Sequence, residues 1–424
     1  MPVRSCDICI IGGGAAGLVA AVAAGASGVP ATLLERNAKL GIKILMSGGG
    51  RCNVTNTGDV HHLVESFPGN GRFLYSAFSR FSNTDILKLL AEEGVETKVE
   101  DRGRVFPVRD TARDVVAALE RAARRRGATI VTGCPVEDVD LHADGRFLVR
   151  AEDGRMWRAR RVVIATGGVS YPTSGTRGDG YRWAARFGHT IVKPRPAIVA
   201  LETEETWPAR VKGVALRDVT VFVYAGGRRR AKYREDVLFT HFGLSGPAVL
   251  NVSHQAVVAQ ESHPGDVRIG IRLAADRTRE AWLGALEERI AAQPNRAGKN
   301  LFEGWWPASL AEVLLELAGV DPERRAAQVS REQRRAIAEL LYELRLTLKR
   351  PRPIEQAMVT AGGVDVREID PKSMESKLQP GLYVAGEALD VDGISGGYNL
   401  QAAYSTGWVA GRSAALSLLG VAAT

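Results

Sequence analysis

Three glycines and one acidic residue near the start of the sequence have the spacing that binds a dinucleotide. Gly12, Gly14 and Gly17 follow the apolar run 6–11, and Glu35 follows a second apolar run. Glycines at these positions allow a tight turn, close approach of a pyrophosphate and close packing of a helix on a strand. The amides that start this helix favour an anion, and the acidic side chain can bind a ribose. The predicted ligands are Gly12, Gly14, Ala15, Ala16, Gly17, Glu35 and Arg36.

Two later segments indicate that the nucleotide is FAD. Segment 381–387 is an apolar strand ending in a turn with Glu387, an acid suited to the ribityl chain. Segment 396–402 begins a helix running to about residue 419, and its first amides would face the pyrimidine edge of the flavin, where negative charge develops on reduction. Strand 161–164 also leads to a turn of small residues. The ligands predicted here are Val136, Thr166, Gly167, Gly168, Gly386, Glu387, Asn399, Leu400 and Gln401.

A longer pattern narrows the comparison to one family. The segment 39–56 contains the run Ser47-Gly48-Gly49-Gly50-Arg51-Cys52-Asn53. It resembles the signature of the YhiN/BaiN-like FAD-dependent oxidoreductases, within the glutathione-reductase-like FAD superfamily, and segments 104–107, 240–247, 360–364 and 386–390 agree with it. The resemblance implies a reductase of activated carbon–carbon double bonds. Members have been linked to uracil reduction in ribosomal RNA and to steroid ring reduction.

The resemblance also implies that this glycine-rich loop lies along the ribityl chain and isoalloxazine of FAD. Arg51 would balance pyrophosphate or flavin charge, and Asn53 would bond the ring. Cys52 is a candidate catalytic residue, because a thiol beside a flavin can protonate a substrate carbon or form an adduct, with Arg51 or a helix N-terminus lowering its pKa. The alternative for the loop is an ordinary surface turn. The alternative for Cys52 is a small residue that fits the space and has no chemical role. The ligands predicted here are Lys43, Ser47, Gly50, Arg51, Cys52 and Asn53.

His241 is the second candidate catalytic residue. It lies on a predicted glycine-rich loop, and imidazole is the side chain most easily poised near neutral pH, so it would donate a proton or orient a carbonyl. The alternative is a structural histidine. Cys6, Cys9 and Cys134 predict no disulfide framework in so long a chain. They predict no metal site either, because Cys6 and Cys9 are three apart on a strand and so face opposite sides.

The order of apolar patterns predicts an α/β protein with an insertion. Residues 1–195 and 357–424 would form a Rossmann-like FAD-binding domain from both chain ends. Residues 196–275 would form a β-rich, barrel-like domain, residues 276–345 a small helical subdomain, and residues 346–356 a returning strand. The predicted strands of the insertion span 198–202, 219–224, 236–240 and 267–273, and its predicted helices begin near 277, 307 and 330.

Composition and charge bear on location and partners. The hydrophobic content of 45% is typical of a soluble globular protein, and no apolar run is long enough to cross a bilayer, so we expect a cytoplasmic protein. The net charge is +8, with basic clusters at 121–126, 158–161, 228–234 and 349–352. Such clusters can neutralise the phosphates of ribosomal RNA or another polyanion. They are equally typical of solvated helix ends and hairpin turns.

Together these patterns predict hydride transfer between flavin N5 and a substrate carbon. Of the substrates that the family resemblance implies, the basic clusters favour a uracil in ribosomal RNA, which would leave its stack, receive hydride at C6 and a proton at C5, and become dihydrouridine. One alternative is a reductase of a small conjugated enone such as a steroid. Another is an RNA-binding flavoprotein that keeps FAD for structure or redox sensing. Because one nucleotide fold is evident, NADPH or NADH would visit transiently, or a separate reductase would donate electrons.

Overall fold

The computed structural model describes residues 3–274 and 276–421. The chain divides into two compact units. Unit 1 comprises Met1–Arg195 and Met358–Thr424, so both chain ends belong to it. Unit 2 comprises Pro196–Ala357.

The elements of the described residues alternate between strands and helices in unit 1 and are richer in antiparallel strands in unit 2. The strands are β1 (Arg4–Ile11), β2 (Ala31–Leu34), β3 (Thr55–Asn56), β4 (Thr97–Glu100), β5 (Arg104–Pro107), β6 (Thr129–Val131), β7 (Val136–Leu141), β8 (Phe147–Ala151), β9 (Met156–Ile164), β10 (Ile191–Ala197), β11 (Leu201–Thr203), β12 (Ala215–Ala225), β13 (Arg228–Thr240), β14 (Gly243–Ser245), β15 (Val267–Arg272), β16 (Leu344–Pro351), β17 (Val359–Val364) and β18 (Leu382–Val384). The helices are α1 (Ala15–Ala26), α2 (Ile42–Met46), α3 (Val60–Glu65), α4 (Tyr75–Arg80), α5 (Asn83–Glu92), α6 (Ala112–Arg125), α7 (Asp179–Arg186), α8 (Pro247–Ser262), α9 (Arg279–Ala292), α10 (Ala308–Leu317), α11 (Arg331–Tyr342) and α12 (Tyr398–Leu418).

A seven-stranded mixed sheet forms the centre of unit 1. Its order is β6-β2-β1-β9-β8-β7, and β18 pairs with the second half of β9. Strands β6, β2, β1, β9 and β18 are parallel, whereas β7 and β8 pair antiparallel. The last residues of β1 and β9, 8–11 and 162–164, are continuous apolar runs and are buried, as expected of strands covered on both faces. The Rossmann-like α/β class predicted from the sequence is confirmed.

Helices α1 and α12 pack together at backbone distance. A Cβ atom on Gly407 would lie 2.2 Å from the carbonyl oxygen of Ala16, and one on Gly411 would lie 2.1 Å from the carbonyl oxygen of Ala20. Side chains larger than hydrogen therefore do not fit at these two positions of α12. The small residues in both helices thus set where the N-terminus of α12 lies relative to α1.

Between β2 and β6 the structure contains elements that the sequence analysis did not predict. Strands β3, β5 and β4 form a small antiparallel sheet, and helices α3 to α6 belong to the same stretch of the chain. Helix α5 begins with a capping box between Ser82 and Asp85. Strand β3 is the direct continuation of the loop 47–53, so its pairing with β5 anchors that loop.

Unit 2 contains a closed barrel with the strand order β11-β14-β13-β12-β15-β16. Its interior is apolar: Val221, Val223, Ile269, Ile271 and Leu346 are all fully buried. These positions alternate with outward residues, as in any barrel strand. The barrel-like insertion predicted from the sequence is confirmed. Strand β13 begins eight residues earlier than predicted. The prediction missed residues 228–235 because they are mostly charged.

Four helices complete unit 2. Helix α8 was not predicted, because Gly246 and Pro247 suggest a loop; proline is in fact suited to the first turn of a helix, and here it opens α8. Helix α10 begins directly after Pro307 and α11 directly after Ser330, where the sequence predicts helices, and a capping box of Ser330 and Gln333 starts α11. Among the described residues, no helix combines the length and apolar character that crossing a bilayer requires.

The contact of α12 with α1 can be tested with one methyl group. We expect Gly411→Ala to lower the free energy of unfolding by about 1–3 kcal/mol, because its Cβ would collide with a backbone oxygen that cannot move aside freely. Gly284→Ala on α9 is the matched control: its Cβ meets no atom within 4 Å, and alanine is the better helix former by about 1 kcal/mol. Urea unfolding followed by circular dichroism measures both. A Gly411→Ala midpoint at or above that of the parent protein would refute the packing argument.

Candidate active site

Four predicted ligand segments lie where parallel strands of unit 1 end. Gly12 follows β1, Glu35 follows β2, Thr166 follows β9, and Gly386 follows β18. These strands are neighbours in one sheet and run in the same direction. Their carboxyl ends therefore form one edge, which is where open α/β sheets bind ligands.

The turn after β1 is closed by backbone contacts on two sides and open on the third. Gly12 has φ +111°, and a Cβ there would lie 2.3 Å from the Ala165 carbonyl oxygen. A Cβ on Gly17 would lie 1.8 Å from the Gly12 carbonyl oxygen. At Gly14 a Cβ would meet no protein atom within 4 Å. The turn is thus tight where strand and helix pack, and it leaves room for a ligand beside Gly14.

Helix α1 begins at this open side without a capping side chain. Its N-cap is Gly14, and its first turn holds no acidic residue. The first amides of a helix have no intrahelical acceptor, so an anion there gains both hydrogen bonds and the favourable end of the helix dipole. This geometry fits the pyrophosphate of a dinucleotide.

Glu35 is held beside the same turn. Its Oε2 accepts from the Gly13 amide (2.7 Å), and its Oε1 accepts from the backbone amide (2.8 Å) and side-chain amide (2.7 Å) of Asn37. Burial raises the pKa of this carboxyl, and these hydrogen bonds oppose the rise. Each oxygen has lone pairs left for a hydroxyl. Ribose binding by Glu35 stays a prediction, and its position next to Gly13 fits it.

Lys43 and Glu387 form an ion pair between two segments far apart in sequence. Lys43 Nζ lies 2.5 Å from Glu387 Oε2 and 2.9 Å from the Ser170 hydroxyl. Glu387 Oε1 accepts from Ser170 Oγ (2.9 Å) and from the Thr360 amide (2.8 Å). Thr360 Oγ1 in turn accepts from the amides of Val169 and Ser170 (2.9 Å each). This network ties α2, the turn after β9, β17 and the turn after β18 into one wall.

Thr360 and Ser170 were missed as site residues by the sequence analysis. The segment 360–364 was noted only as a family pattern, and nothing in its residue types indicates a contact with segment 169–170. Gly168 shows how close the contact is, since a Cβ there would lie 2.3 Å from Thr360 Oγ1. The signal available was the small-residue run at 361–363, which permits this close packing.

Helix α12 presents a second N-terminus without a capping side chain of its own. Its N-cap, Gly397, has φ +95°, and a Cβ there would lie 2.5 Å from the Thr55 carbonyl oxygen. Asn53 braces this junction: in the orientation that pairs donors with acceptors, its oxygen accepts from the Gly397 amide (3.1 Å) and its nitrogen donates to the Thr55 carbonyl (3.0 Å). The Asn53 side chain therefore braces the start of α12, and its bond to the flavin ring stays a prediction.

Two predicted side-chain ligands on α12 are likewise used within the protein. Asn399 accepts from the Gly393 amide (2.8 Å) and donates to the Gly393 carbonyl (2.9 Å), which leaves its backbone for a cofactor. Gln401 is fully buried, and it bonds Thr55 Oγ1 (2.7 Å) and Ser405 Oγ (2.9 Å). The Gln401 side chain is therefore part of the packing of α12, and a contact of Gln401 with FAD stays a prediction.

Arg51 does not carry a free charge in this structure. Its guanidinium pairs with Glu100 and with Asp110 (2.9 Å), and it lies 4.2 Å from the centre of the Phe106 ring. Lys98 joins the same cluster through Asp110 (2.8 Å). Two carboxylates thus pair with Arg51, and its role in balancing pyrophosphate or flavin charge stays a prediction.

Cys52 is fully buried and has φ +64°, a backbone conformation uncommon for a residue with a side chain. Burial raises the pKa of its thiol to about 12, and a hydrogen bond with Ser47 offsets only part of that rise. The expected lowering of its pKa by Arg51 is therefore wrong. At neutral pH the group is a thiol that can donate a proton, and it is not a nucleophilic thiolate.

The other candidate acid, His241, lies in unit 2. It is exposed on the turn between β13 and β14, and its ring contacts Phe242 at 4.9 Å between centroids.

The other predicted ligands lie in unit 1. Arg36 bonds Asp179 (2.9 Å) and the Gly175 carbonyl (3.1 Å), and Val136 is buried at the start of β7. The remaining predicted ligands are Ala15, Ala16, Ser47, Gly50, Gly167, Gly168 and Leu400, and all belong to unit 1.

The last residue of segment 386–390 was not predicted to be a site residue. Asp390 is half-buried, and its carboxylate accepts from Asn70 Nδ2 (2.9 Å). Burial and, secondarily, the neighbouring Asp392 raise its pKa. Nothing in the sequence alone indicates this shift, because it depends on how far the folded chain buries the carboxylate, and the hydrogen bond from Asn70 opposes it.

Comparison with known proteins gives a consistent result. The family model described as "HI0933-like protein Rossmann domain" matches residues 6–413. The "3-dehydro-bile acid delta(4,6)-reductase" of Clostridium scindens is 35% identical over 96% of this chain and 98% of its own length. The "Ribosomal RNA dihydrouridine synthase" of Escherichia coli strain K12 is 34% identical over 95% of this chain and 96% of its own length.

A solved structure shares the fold at much lower identity. The 3-ketosteroid Δ1-dehydrogenase of Sterolibacterium denitrificans aligns with a TM-score of 0.54 and 12% identity, over 98% of this chain and 100% of that one. The likeness concerns the arrangement of the chain alone.

The open side of the phosphate turn can be tested at Gly14. We expect Gly14→Val to raise the dissociation constant for FAD at least tenfold, about 1.4 kcal/mol, because the new side chain would occupy the space predicted for the pyrophosphate. The stability of the apoprotein should not change, because the Cβ meets no protein atom and the backbone has φ −85°, which valine adopts without strain. Gly284→Val is the control, with an equally open Cβ position on α9. Fluorescence titration with FAD and urea unfolding measure the two quantities. Unchanged FAD affinity would place the pyrophosphate elsewhere.

The burial of Cys52 predicts its reactivity. At pH 8 we expect iodoacetamide to label Cys52 at least a hundredfold more slowly than a free cysteine peptide, because the thiol is buried and its pKa lies near 12. In urea the rate should rise to that of the peptide. Peptide mass spectrometry of timed samples measures both, with the partly buried Cys6 as internal comparison. Fast labelling of Cys52 in the folded protein would show that a thiolate is present after all.

Proposed function

Because the chain belongs to the HI0933-like family of FAD-binding Rossmann proteins and is an FAD-dependent oxidoreductase, we propose that it reduces an activated carbon–carbon double bond, with a uracil of ribosomal RNA as its favoured substrate. The observation that carries the proposal is a reaction type shared by two relatives that match nearly the whole chain. One is named for reduction of Δ4,6 bonds of a bile acid and the other for synthesis of dihydrouridine. Each name describes saturation of a double bond conjugated with a carbonyl.

FAD, when bound, supplies the two-electron carrier, with hydride exchanged at N5. The first amides of α1, beside Gly14, would hold its pyrophosphate, and Glu35 would bind its ribose hydroxyls. Lys43 and Glu387 would bind the ribityl chain. The first amides of α12 would stabilise negative charge on the pyrimidine part of the flavin.

The proposed reaction saturates the C5–C6 bond of a flipped-out uracil. Hydride reaches C6 and a proton reaches C5, so the base gains two hydrogens in total. The electrons come from NADPH or NADH visiting transiently, or from a separate reductase, and one reduced nicotinamide and one proton are consumed for each dihydrouridine. Cys52 and His241 are the proposed proton donors, and the neutral state of the Cys52 thiol suits that role.

A second candidate function is reduction of a small conjugated enone of the steroid type. The 35% identity to the bile acid reductase favours it. Charge favours RNA, since a net +8 attracts a polyanion and contributes nothing to binding an apolar ring system.

Anaerobic stopped-flow reoxidation distinguishes the two functions. The protein is reduced with its flavin in place and mixed with unmodified ribosomal RNA, with a conjugated steroid enone, or with buffer. We expect rapid reoxidation with RNA alone and one dihydrouridine in the RNA digest for each flavin reoxidised. RNA in which the uracils are already saturated is the control, and it should behave as buffer does.

The other outcomes are equally informative. Reoxidation by the enone alone would move the function to small molecules. Tight RNA binding with no reoxidation by either substrate would support an RNA-binding flavoprotein that keeps FAD for structure or sensing.

A further inference from the structure

Six cationic side chains lie on one face of the barrel in unit 2. Residues opposite each other on neighbouring strands share a face, as do residues two apart on one strand. On β12, Thr220, Phe222 and Tyr224 are two apart, and each lies opposite a cation of β13. Strands β15 and β16 continue the same face. We call it the basic barrel face, and its cations are Arg229, Lys232, Arg234, Arg268, Arg272 and Arg345.

This face points away from the barrel interior. The residues between those of the face, such as Val221, Val223 and Ile269, are fully buried in the barrel core. Five of the six cations are exposed, and Arg272 is half-buried. The face extends over four adjacent strands, about 14 Å at the usual spacing of about 4.8 Å between strands.

Few carboxylates oppose these charges. Glu343 accepts from Arg345 (2.6 Å) and Arg272 (3.3 Å), and Asp218 pairs with Arg234 (2.8 Å). Arg229, Lys232 and Arg268 form no ion pair with any residue that the structure describes. The face therefore carries an excess of positive charge.

The other basic clusters of the sequence are largely neutralised. Clusters 121–126, 158–161 and 349–352 each contain arginines paired with carboxylates outside the cluster. Their acidic partners are Asp7, Glu92, Glu93, Glu120, Asp144 and Glu202. Cluster 228–234 thus differs from the rest, because two of its cations stand opposite β12 without a carboxylate.

Aromatic rings hold several of these guanidinium groups in place. Arg272 lies between the rings of Phe222 (4.9 Å) and Tyr342 (4.5 Å), and Arg345 lies over Tyr224 (5.2 Å). Stacking on a ring fixes the plane of a guanidinium while its N–H groups stay directed outward. Less side-chain entropy is then lost when a phosphate binds.

We propose that the basic barrel face is the docking surface for the sugar–phosphate backbone of the RNA substrate. The proposal rests on the proposed function, because the RNA assignment supplies the partner, and it adds where that partner binds. Arg229, Lys232 and Arg268 make the phosphate contacts, and the stacked arginines Arg272 and Arg345 set their registration. Such contacts give affinity without sequence preference, so the choice of the target uracil lies with the site in unit 1.

The test compares two triple variants of the FAD-loaded protein that lose the same charge. The face variant is Arg229→Gln/Lys232→Gln/Arg268→Gln. The control is Arg124→Gln/Arg158→Gln/Arg350→Gln, taken from the three neutralised clusters. Binding of ribosomal RNA transcribed in vitro is measured by filter retention from 50 to 300 mM KCl, together with FAD content and dihydrouridine yield.

We expect the face variant to bind RNA at least tenfold more weakly at 100 mM KCl. The negative slope of log K against log salt should become shallower by about 2, since each lost phosphate contact reduces the magnitude of the slope by about 0.7–0.9. FAD content should not change, and the control should bind within threefold of the parent protein. Equal binding by the face variant and the parent, or equal losses in both variants, would overturn the proposal. So would tighter binding to phosphatidylserine vesicles than to RNA.

Failure of the docking face and failure of the proposed function give different results. If the parent protein forms dihydrouridine and the face variant binds and reacts as the parent does, the docking proposal is wrong and the function stands. If the face variant loses RNA binding while the parent forms no dihydrouridine in any ribosomal RNA, the docking face stands and the reductase assignment to RNA is wrong.

Discussion

The ligand-binding edge of unit 1 depends on backbone contacts that leave no room for a side chain. Gly12 faces Ala165, Gly17 faces Gly12, and Gly397 faces Thr55, each with space for hydrogen alone. The contacts of Gly12 and Gly397 join a turn or helix start to a distant part of the chain, and the contact of Gly17 closes the turn between β1 and α1. Together they determine where the N-termini of α1 and α12 lie, and hence where two helix dipoles can meet an anion or a reduced flavin. Backbone packing thus fixes the positions of the two helix N-termini, and the charged side chains of the site are arranged around them.

Much of this architecture was predictable from the sequence, because its elements have local signals. Helix α1 begins directly after Gly14 and strand β2 ends directly before Glu35, as the dinucleotide pattern predicts, and a helix begins after Ser330 as expected. The misses arise where local signals mislead. Residues 228–235 are charged, yet they form the first part of β13, since cross-strand pairing with β12 outweighs their composition. Pro247 suggests a loop and instead opens α8.

The roles of individual side chains were less predictable than the backbone. Asn53, Arg51 and Gln401 occur in the pattern expected of cofactor ligands, but each bonds a protein group from a distant segment. A sequence pattern indicates that a residue is close to a site. Whether its polar atoms face the ligand or brace the wall depends on which remote residue approaches it, and that requires the tertiary structure. The same limit applies to the basic clusters, which look alike in sequence and differ only in the carboxylates brought near them.

The state of Cys52 bears on how a double bond would be protonated. A proton donor works best when its pKa lies near the working pH, and a thiol with a pKa near 12 is always protonated but a reluctant acid. Such a donor is effective only if substantial negative charge has built up on the substrate carbon before the proton moves. Hydride addition to a bond conjugated with a carbonyl produces that charge as an enolate. A weakly acidic, buried thiol is therefore compatible with hydride transfer preceding protonation, and it has the added property of not releasing its proton to solvent between turnovers.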